Sequence, residues 1–99
     1  MPYKDCKRFF NEVYDSTYIT VLNYINSRCS NMSDTEDIVQ DVYLDFYKRI
    51  KKHGFSDIGS VEAFLIFISK KKLAKYYAEK YGKKDFDLCF IFIKIYLTS

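Results

Sequence analysis

The sequence has few of the residues that interrupt regular structure. Its 99 residues include three glycines, one proline and no tryptophan. Because glycine and proline mark most turns, their scarcity predicts a few long helices rather than many short strands. The length suits one domain and is too short for two ordinary ones. With 48% hydrophobic and 29% charged residues, the chain has the composition of a folded globular protein.

Residues that carry catalytic or metal chemistry are also scarce. The three cysteines (Cys6, Cys29 and Cys89) lack the spacing of a metal site, and the single histidine, His53, has no cysteine or second histidine close in sequence. The odd count is typical of reduced thiols in the cytoplasm. No glycine-rich phosphate loop and no Cys/His nucleophile is visible. We therefore predict no catalytic residue, no cofactor and no metal ligand.

No long hydrophobic run is present. Residues 1–8 are polar and no hydrophobic run follows them, so the sequence predicts no signal peptide. The longest apolar stretch, residues 88–97, contains Lys94 and is about half of the ~20 residues that a bilayer span needs. We expect no membrane association and a cytoplasmic location.

Charge is unevenly distributed along the chain. Residues 1–45 hold four Lys/Arg and eight Asp/Glu, whereas residues 46–99 hold twelve Lys/Arg and five Asp/Glu. This polarity favours two partners of opposite character, the second a polyanion. A solvated surface with accidental asymmetry is the alternative.

Hydrophobic spacing predicts three helices, over residues 5–28, 34–52 and 60–81. A capping box of Ser33 and Glu36 is expected to begin the second helix. Residues 53–60 contain two of the three glycines and are predicted to form a loop, with Ser60 or Asp57 capping the third helix. Residues 85–99 are rich in β-branched and aromatic side chains, a composition that fits either a strand or a short buried helix.

The second predicted helix has two distinct faces. Its broad apolar face consists of Ile38, Val39, Val42, Tyr43, Phe46, Tyr47 and Ile50. On the opposite face, Asp37, Gln40 and Asp41 stand at i, i+3 and i+4 and project together, with Leu44 among them. An apolar side chain surrounded by acids and an amide is typical of a binding hot spot, although single exposed leucines are also common.

The third predicted helix combines lysines with rings. Lys70, Lys71 and Lys75 lie on its basic side, and the rings available in the loop and this helix are Phe55, Phe67, Tyr76 and Tyr77. Lysines neutralise phosphates and rings stack on unpaired bases, which are the ingredients of single-strand binding. A lysine-rich face that is merely solvated is the alternative.

Three segments together resemble the second domain of bacterial sigma factors of the extracytoplasmic-function class. They are Phe10-Asn-Glu-Val-Tyr14, Asp34-Thr-Glu-Asp-Ile-Val-Gln-Asp-Val-Tyr-Leu-Asp-Phe-Tyr47, and Ser60-Val-Glu-Ala-Phe-Leu-Ile-Phe-Ile68 followed by Tyr76-Tyr77. The resemblance covers about residues 9–81. It implies an all-α fold, a compact three-helix bundle over residues 1–84. Residues 85–99, outside the resemblance, are expected to form a short apolar C-terminal element.

The resemblance also implies a non-catalytic role in transcription initiation. The second helix is expected to dock on the clamp helices of the largest RNA polymerase subunit, through Asp37, Gln40, Asp41 and Leu44. The loop and third helix are expected to hold the melted non-template strand of the minus-ten promoter element, through His53, Gly54, Phe55, Ser56, Lys70, Lys71 and Lys75. The competing hypothesis is a protein-interaction module, either a sigma-like decoy or an anti-sigma partner, that does not open DNA.

The sequence departs from the family pattern at two places. Lys71, Lys75 and Ala78 stand where the family often has Asn, Asp and Arg, which favours backbone affinity over base discrimination. The usual fourth domain is expected to be absent, and a fragment, a truncated reading frame and a stand-alone form remain open. An anti-sigma factor is a further candidate partner, and the apolar tail is a candidate surface for packing on the domain or for homodimerisation.

Overall fold

The computed structural model describes residues 3–81, which form three helices. They are α1 (Tyr3–Asn26), α2 (Met32–His53) and α3 (Val61–Tyr81), and no strand occurs among the described residues. The prediction of an all-α three-helix bundle is confirmed. The predicted apolar element at residues 85–99 lies outside the described residues.

The start of α2 differs from the sequence prediction. Asn31, not Ser33, is the N-cap: its backbone is extended and its Oδ1 accepts a hydrogen bond from the Asp34 amide at 2.8 Å. Asparagine caps a helix as well as serine does, so the earlier residue satisfies the first free amides and α2 begins two residues sooner. Of the two residues predicted to cap α3, Ser60 does so, because its Oγ accepts from the Ala63 amide at 3.2 Å, whereas the Asp57 carboxylate accepts from Arg49.

The three helices enclose one core that centres on α2. Phe46 is fully buried, and its ring centroid lies 6.1–6.2 Å from those of Phe9, Phe10 and Phe64. The predicted apolar face of α2 is buried except for Tyr47, which is half-buried. The buried hydrophobic residues are Cys6, Val13, Val21, Ile25, Ile38, Val39, Val42, Tyr43, Phe46, Ile50, Leu65, Ile68, Leu73 and Ala74.

None of α1, α2 and α3 has an apolar stretch long enough to cross a membrane.

Candidate functional site

The side chains predicted to bind polymerase lie together on the outer face of α2. Asp37, Gln40 and Asp41 are exposed, and Leu44 exposes 50% of its surface. They face outward because α2 buries the opposite stripe of its surface in the core. We call these four residues the α2 ridge.

On its α1 side, the α2 ridge borders a groove of aromatic rings. Gln40 and Leu44 line this groove, whose other walls are Lys7, Phe10, Asn11, Tyr14, Tyr43 and Tyr47. The rings touch one another: the Phe10 and Tyr47 centroids are 5.0 Å apart, and those of Tyr14 and Tyr43 are 4.7 Å apart. We call Phe10, Tyr14, Tyr43 and Tyr47 the aromatic margin.

A buried hydrogen bond joins α1 to α2 beneath the aromatic margin. Thr17 Oγ1 donates to the Val13 carbonyl at 2.6 Å and lies 2.7 Å from the Tyr43 hydroxyl. Since the single threonine proton is already used, the Tyr43 hydroxyl donates to Thr17. Burial raises the pKa of Tyr43 above its ordinary value of 10.0, and the nearby Tyr14 and Tyr18 act in the same direction. The Tyr43 hydroxyl is therefore held in place and uncharged at neutral pH.

On its α3 side, the α2 ridge borders a groove of charged groups. Asp37 and Asp41 line it, and its other walls are Asp34, Ile38, Lys72, Lys75, Tyr76 and Glu79. The groove therefore contains four carboxylates and two lysines. We call its charged residues, together with the flanking Asp45 and Lys80, the charged margin.

Ion pairs and hydrogen bonds join α2 to α3 along the charged margin. Lys72 Nζ is 2.9 Å from Asp45 Oδ2. The Tyr76 hydroxyl donates to Asp34 Oδ2 at 2.6 Å, and Lys80 donates to the same hydroxyl at 3.0 Å. These polar contacts are within reach of solvent and salt, unlike those of the aromatic margin.

Hydrogen bonds join the loop between α2 and α3 to the end of α2. Gly54 ends α2 with φ of 76°, a conformation that favours glycine, and its amide donates to the Ile50 carbonyl at 2.9 Å. Arg49 donates to the Gly54 carbonyl at 3.2 Å and to the Asp57 carboxylate at 3.1 Å. The loop is thus tied to the last turns of α2 at two points.

The four loop residues predicted to bind DNA have different surroundings. Phe55 turns inward and stacks on Phe9, with centroids 4.1 Å apart and ring planes 9° from parallel. Gly54 is buried, whereas His53 and Ser56 are exposed. The Phe55 ring therefore has one face occupied by its own protein.

The three predicted DNA-binding lysines of α3 also differ. Lys70 is half-buried, whereas Lys71 and Lys75 are exposed. Lys71 Nζ lies 5.4 Å from the ring centroid of Phe67, which exposes 48% of its surface, while Lys75 lines the charged margin. The structure therefore divides a set of lysines that the sequence presented as equivalent.

Nothing in residues 3–81 resembles a reaction centre. No group of three His, Cys, Asp or Glu side chains there is placed to hold a metal ion. Burial raises the pKa of the Cys29 thiol above its ordinary value, so Cys29 is a poor nucleophile at neutral pH. The features that stand out are surfaces for binding.

Comparison with known families gives one match. The family model described as Sigma-70 region 2 matches residues 13–81, a span that contains the second half of α1, all of α2, the loop and α3. The α2 ridge, the four loop residues and the three lysines all lie within it. No curated protein and no solved structure matches the chain.

Proposed function

The chain belongs to the sigma-70 region 2 family of transcription initiation factors, and from that premise we propose that it is the promoter-melting domain of an extracytoplasmic-function sigma factor. Domains of this family are not catalytic. In the proposed mechanism, the α2 ridge docks on the clamp helices of the largest RNA polymerase subunit. The loop and α3 then hold the non-template strand of the minus-ten element.

The exposure of the α2 ridge is the observation that carries the proposal. Asp37 and Asp41 present carboxylates, Gln40 presents an amide, and Leu44 lies among them with half its surface exposed. Acceptors around an apolar anchor suit a partner helix that carries basic and apolar side chains. Electrostatic attraction to such a partner would also speed association.

The polymerase half of the proposal is tested by co-purification. A tagged chain carrying Gln40→Ala and Asp41→Ala is expected to recover far less core polymerase than the unaltered chain. The matched control is Glu12→Ala with Asn23→Ala, which removes one carboxylate and one amide from exposed positions on α1. The control should recover polymerase normally, and equal recovery by both double variants would refute the docking surface.

The DNA half of the proposal rests on the fixed loop and the lysines of α3. Extruding a base from a duplex costs a few kcal/mol, so the protein must present a surface that is already in place. Arg49 supports the loop in this way by its bonds to Gly54 and Asp57. Lys71 and Lys75, which are exposed on α3, are the candidate contacts for the phosphates of the strand.

Salt-dependent binding of single-stranded DNA tests this half and distinguishes the alternative function. Lys70→Ala with Lys71→Ala should weaken binding to a minus-ten oligonucleotide and reduce the dependence of affinity on salt. A sigma-like decoy would pass the polymerase test and show no change here. Unaltered affinity and salt slope would therefore favour the decoy.

A further inference from the structure

The aromatic rings of the loop and α3 differ in how much of their surface is accessible to a ligand. Phe55 stacks on Phe9, and Phe64 packs against Phe46 with the Arg49 guanidinium 5.8 Å from its centroid. The hydroxyl of Tyr76 is bonded to Asp34, and that of Tyr77 to the Arg28 carbonyl. Phe67 is different. It exposes 48% of its surface and stands one turn before Lys71, on the lysine-rich side of α3.

Phe67 and Lys71 together have the chemistry of a single-strand contact. An exposed ring can stack on any unpaired base, and an adjacent ammonium can neutralise the phosphate next to it. The 5.4 Å separation of Lys71 Nζ from the Phe67 centroid allows one nucleotide to meet both groups.

Lys75 is exposed on the same helix but faces a different environment. The groove that it lines contains the carboxylates of Asp34, Asp37, Asp41 and Glu79. Charges in solution act over roughly 8–10 Å at physiological salt, so a phosphate that approached Lys75 would also be repelled by these groups. The charged margin therefore cancels much of the attraction of Lys75 for DNA.

We propose that Phe67 is the base-stacking residue of α3, that Lys71 binds the adjacent phosphate, and that the charged margin withholds Lys75 from the strand. This inference rests on the proposed DNA role and deepens it. The ligand is an unpaired base of single-stranded DNA.

The stacking role is tested on the full chain with a fluorescently labelled single-stranded oligonucleotide at low salt. Phe67→Leu should lower the affinity about tenfold, within the range for loss of one stacked base, and leave the salt slope unchanged. Phe67→Tyr should retain affinity because it keeps the ring. Ile19→Ala, which removes an exposed apolar side chain from α1, is the control and should bind normally.

A photochemical readout locates the contact directly. An oligonucleotide with 5-iodouracil should cross-link to residue 67 in the unaltered chain and in Phe67→Tyr, but not in Phe67→Leu. Cross-linking at Phe55 in place of Phe67, or full affinity in Phe67→Leu, would overturn the stacking assignment.

The two exposed lysines provide a matched pair for the phosphate role. Lys71→Gln should reduce the salt slope by about 0.7, the value for one phosphate contact with a single strand, whereas Lys75→Gln should leave it nearly unchanged. In a chain that already carries Asp37→Asn and Asp41→Asn, Lys75→Gln should reduce the slope as Lys71→Gln does.

The outcomes separate this inference from the proposed function. If the unaltered chain binds and the two lysine variants behave alike in both backgrounds, the division between Lys71 and Lys75 is wrong while the DNA role stands. If the unaltered chain shows no binding at low salt, the DNA role itself fails, and this inference fails with it.

Discussion

The α2 helix meets its two neighbours through margins of opposite chemistry. Toward α1, rings pack on rings, and buried hydrogen bonds join Tyr43 to Thr17 and Cys6 to the Ile50 carbonyl. Toward α3, carboxylates face lysines and a tyrosine hydroxyl, as in the pairs Asp45–Lys72 and Asp34–Tyr76. The α2 ridge lies between these margins. Gln40 and Leu44 line the groove on the α1 side, and Asp37 and Asp41 line the groove on the α3 side.

This difference implies that the two margins respond to different conditions. Ring packing and apolar burial are not screened by salt as charge pairs are, so the aromatic margin should hold α2 in position at both low and high salt. Exposed ion pairs are screened by salt and contribute little to the stability of a protein. The charged margin should therefore affect binding more than it affects the stability of the fold. Three predictions follow from this contrast.

Loss of the central ring of the core should have the largest effect. Phe46→Ala removes a fully buried ring that packs against Phe9, Phe10 and Phe64. We expect the free energy of unfolding to fall by about 3–5 kcal/mol, a large share of the stability of a small domain. Urea denaturation followed by circular dichroism at two salt concentrations should give the same loss at both.

Leu44→Ala on the same helix is the control for that measurement. Because Leu44 is half exposed, its truncation should change stability by no more than about 0.5 kcal/mol. A loss of stability for Leu44→Ala comparable to that for Phe46→Ala would show that the α2 ridge is part of the core.

Removal of the Tyr43 hydroxyl should have an intermediate effect that depends on pH. Tyr43→Phe deletes the hydrogen bond to Thr17, whose own proton stays bonded to Val13, so the expected cost at neutral pH is about 0.5–1.5 kcal/mol. The folded state raises the pKa of Tyr43, so its contribution is complete below the ordinary value of 10.0 and declines as pH rises through the higher folded value.

The stability difference between the unaltered chain and Tyr43→Phe should accordingly narrow above pH 10. Denaturation curves at pH 8 and at pH 10.5–11 measure it, since the other tyrosines are the same in both chains. A difference that stays constant or widens with pH would mean that Tyr43 ionises at least as readily in the folded chain as in the unfolded one.

The sequence predicted the exposed and buried faces of α2 better than it predicted their neighbours. A helical wheel separates Phe46 from Asp41 because the two positions point in nearly opposite directions from the helix axis. The same wheel carries no information about which helix lies on each side of the ridge. The split of the ridge between aromatic and charged margins was therefore visible only in three dimensions.

The third helix was harder because its polar and apolar positions are less cleanly separated. The run Lys70–Lys72 directly precedes the buried Leu73, so a basic segment and a core position adjoin on this helix. Likewise, no local pattern shows that Phe55 stacks on Phe9, a residue far away in the sequence. Local spacing determined which elements form, and packing between distant segments determined which side chains remain available for binding.

The smallest effect is expected from the charged margin, and it should be the one that salt removes. Asp45→Asn breaks the ion pair with Lys72, whose partners are 43% and 19% exposed, so we expect a loss of less than about 1 kcal/mol. A double-mutant cycle with Lys72→Gln at low and high salt isolates the pair energy. That energy should approach zero at high salt, where screening shortens the range of the attraction to a few ångströms. A pair energy that does not change with salt would mean that Asp45 and Lys72 stabilise the fold under all salt conditions. The two margins of α2 would then not differ in their response to salt.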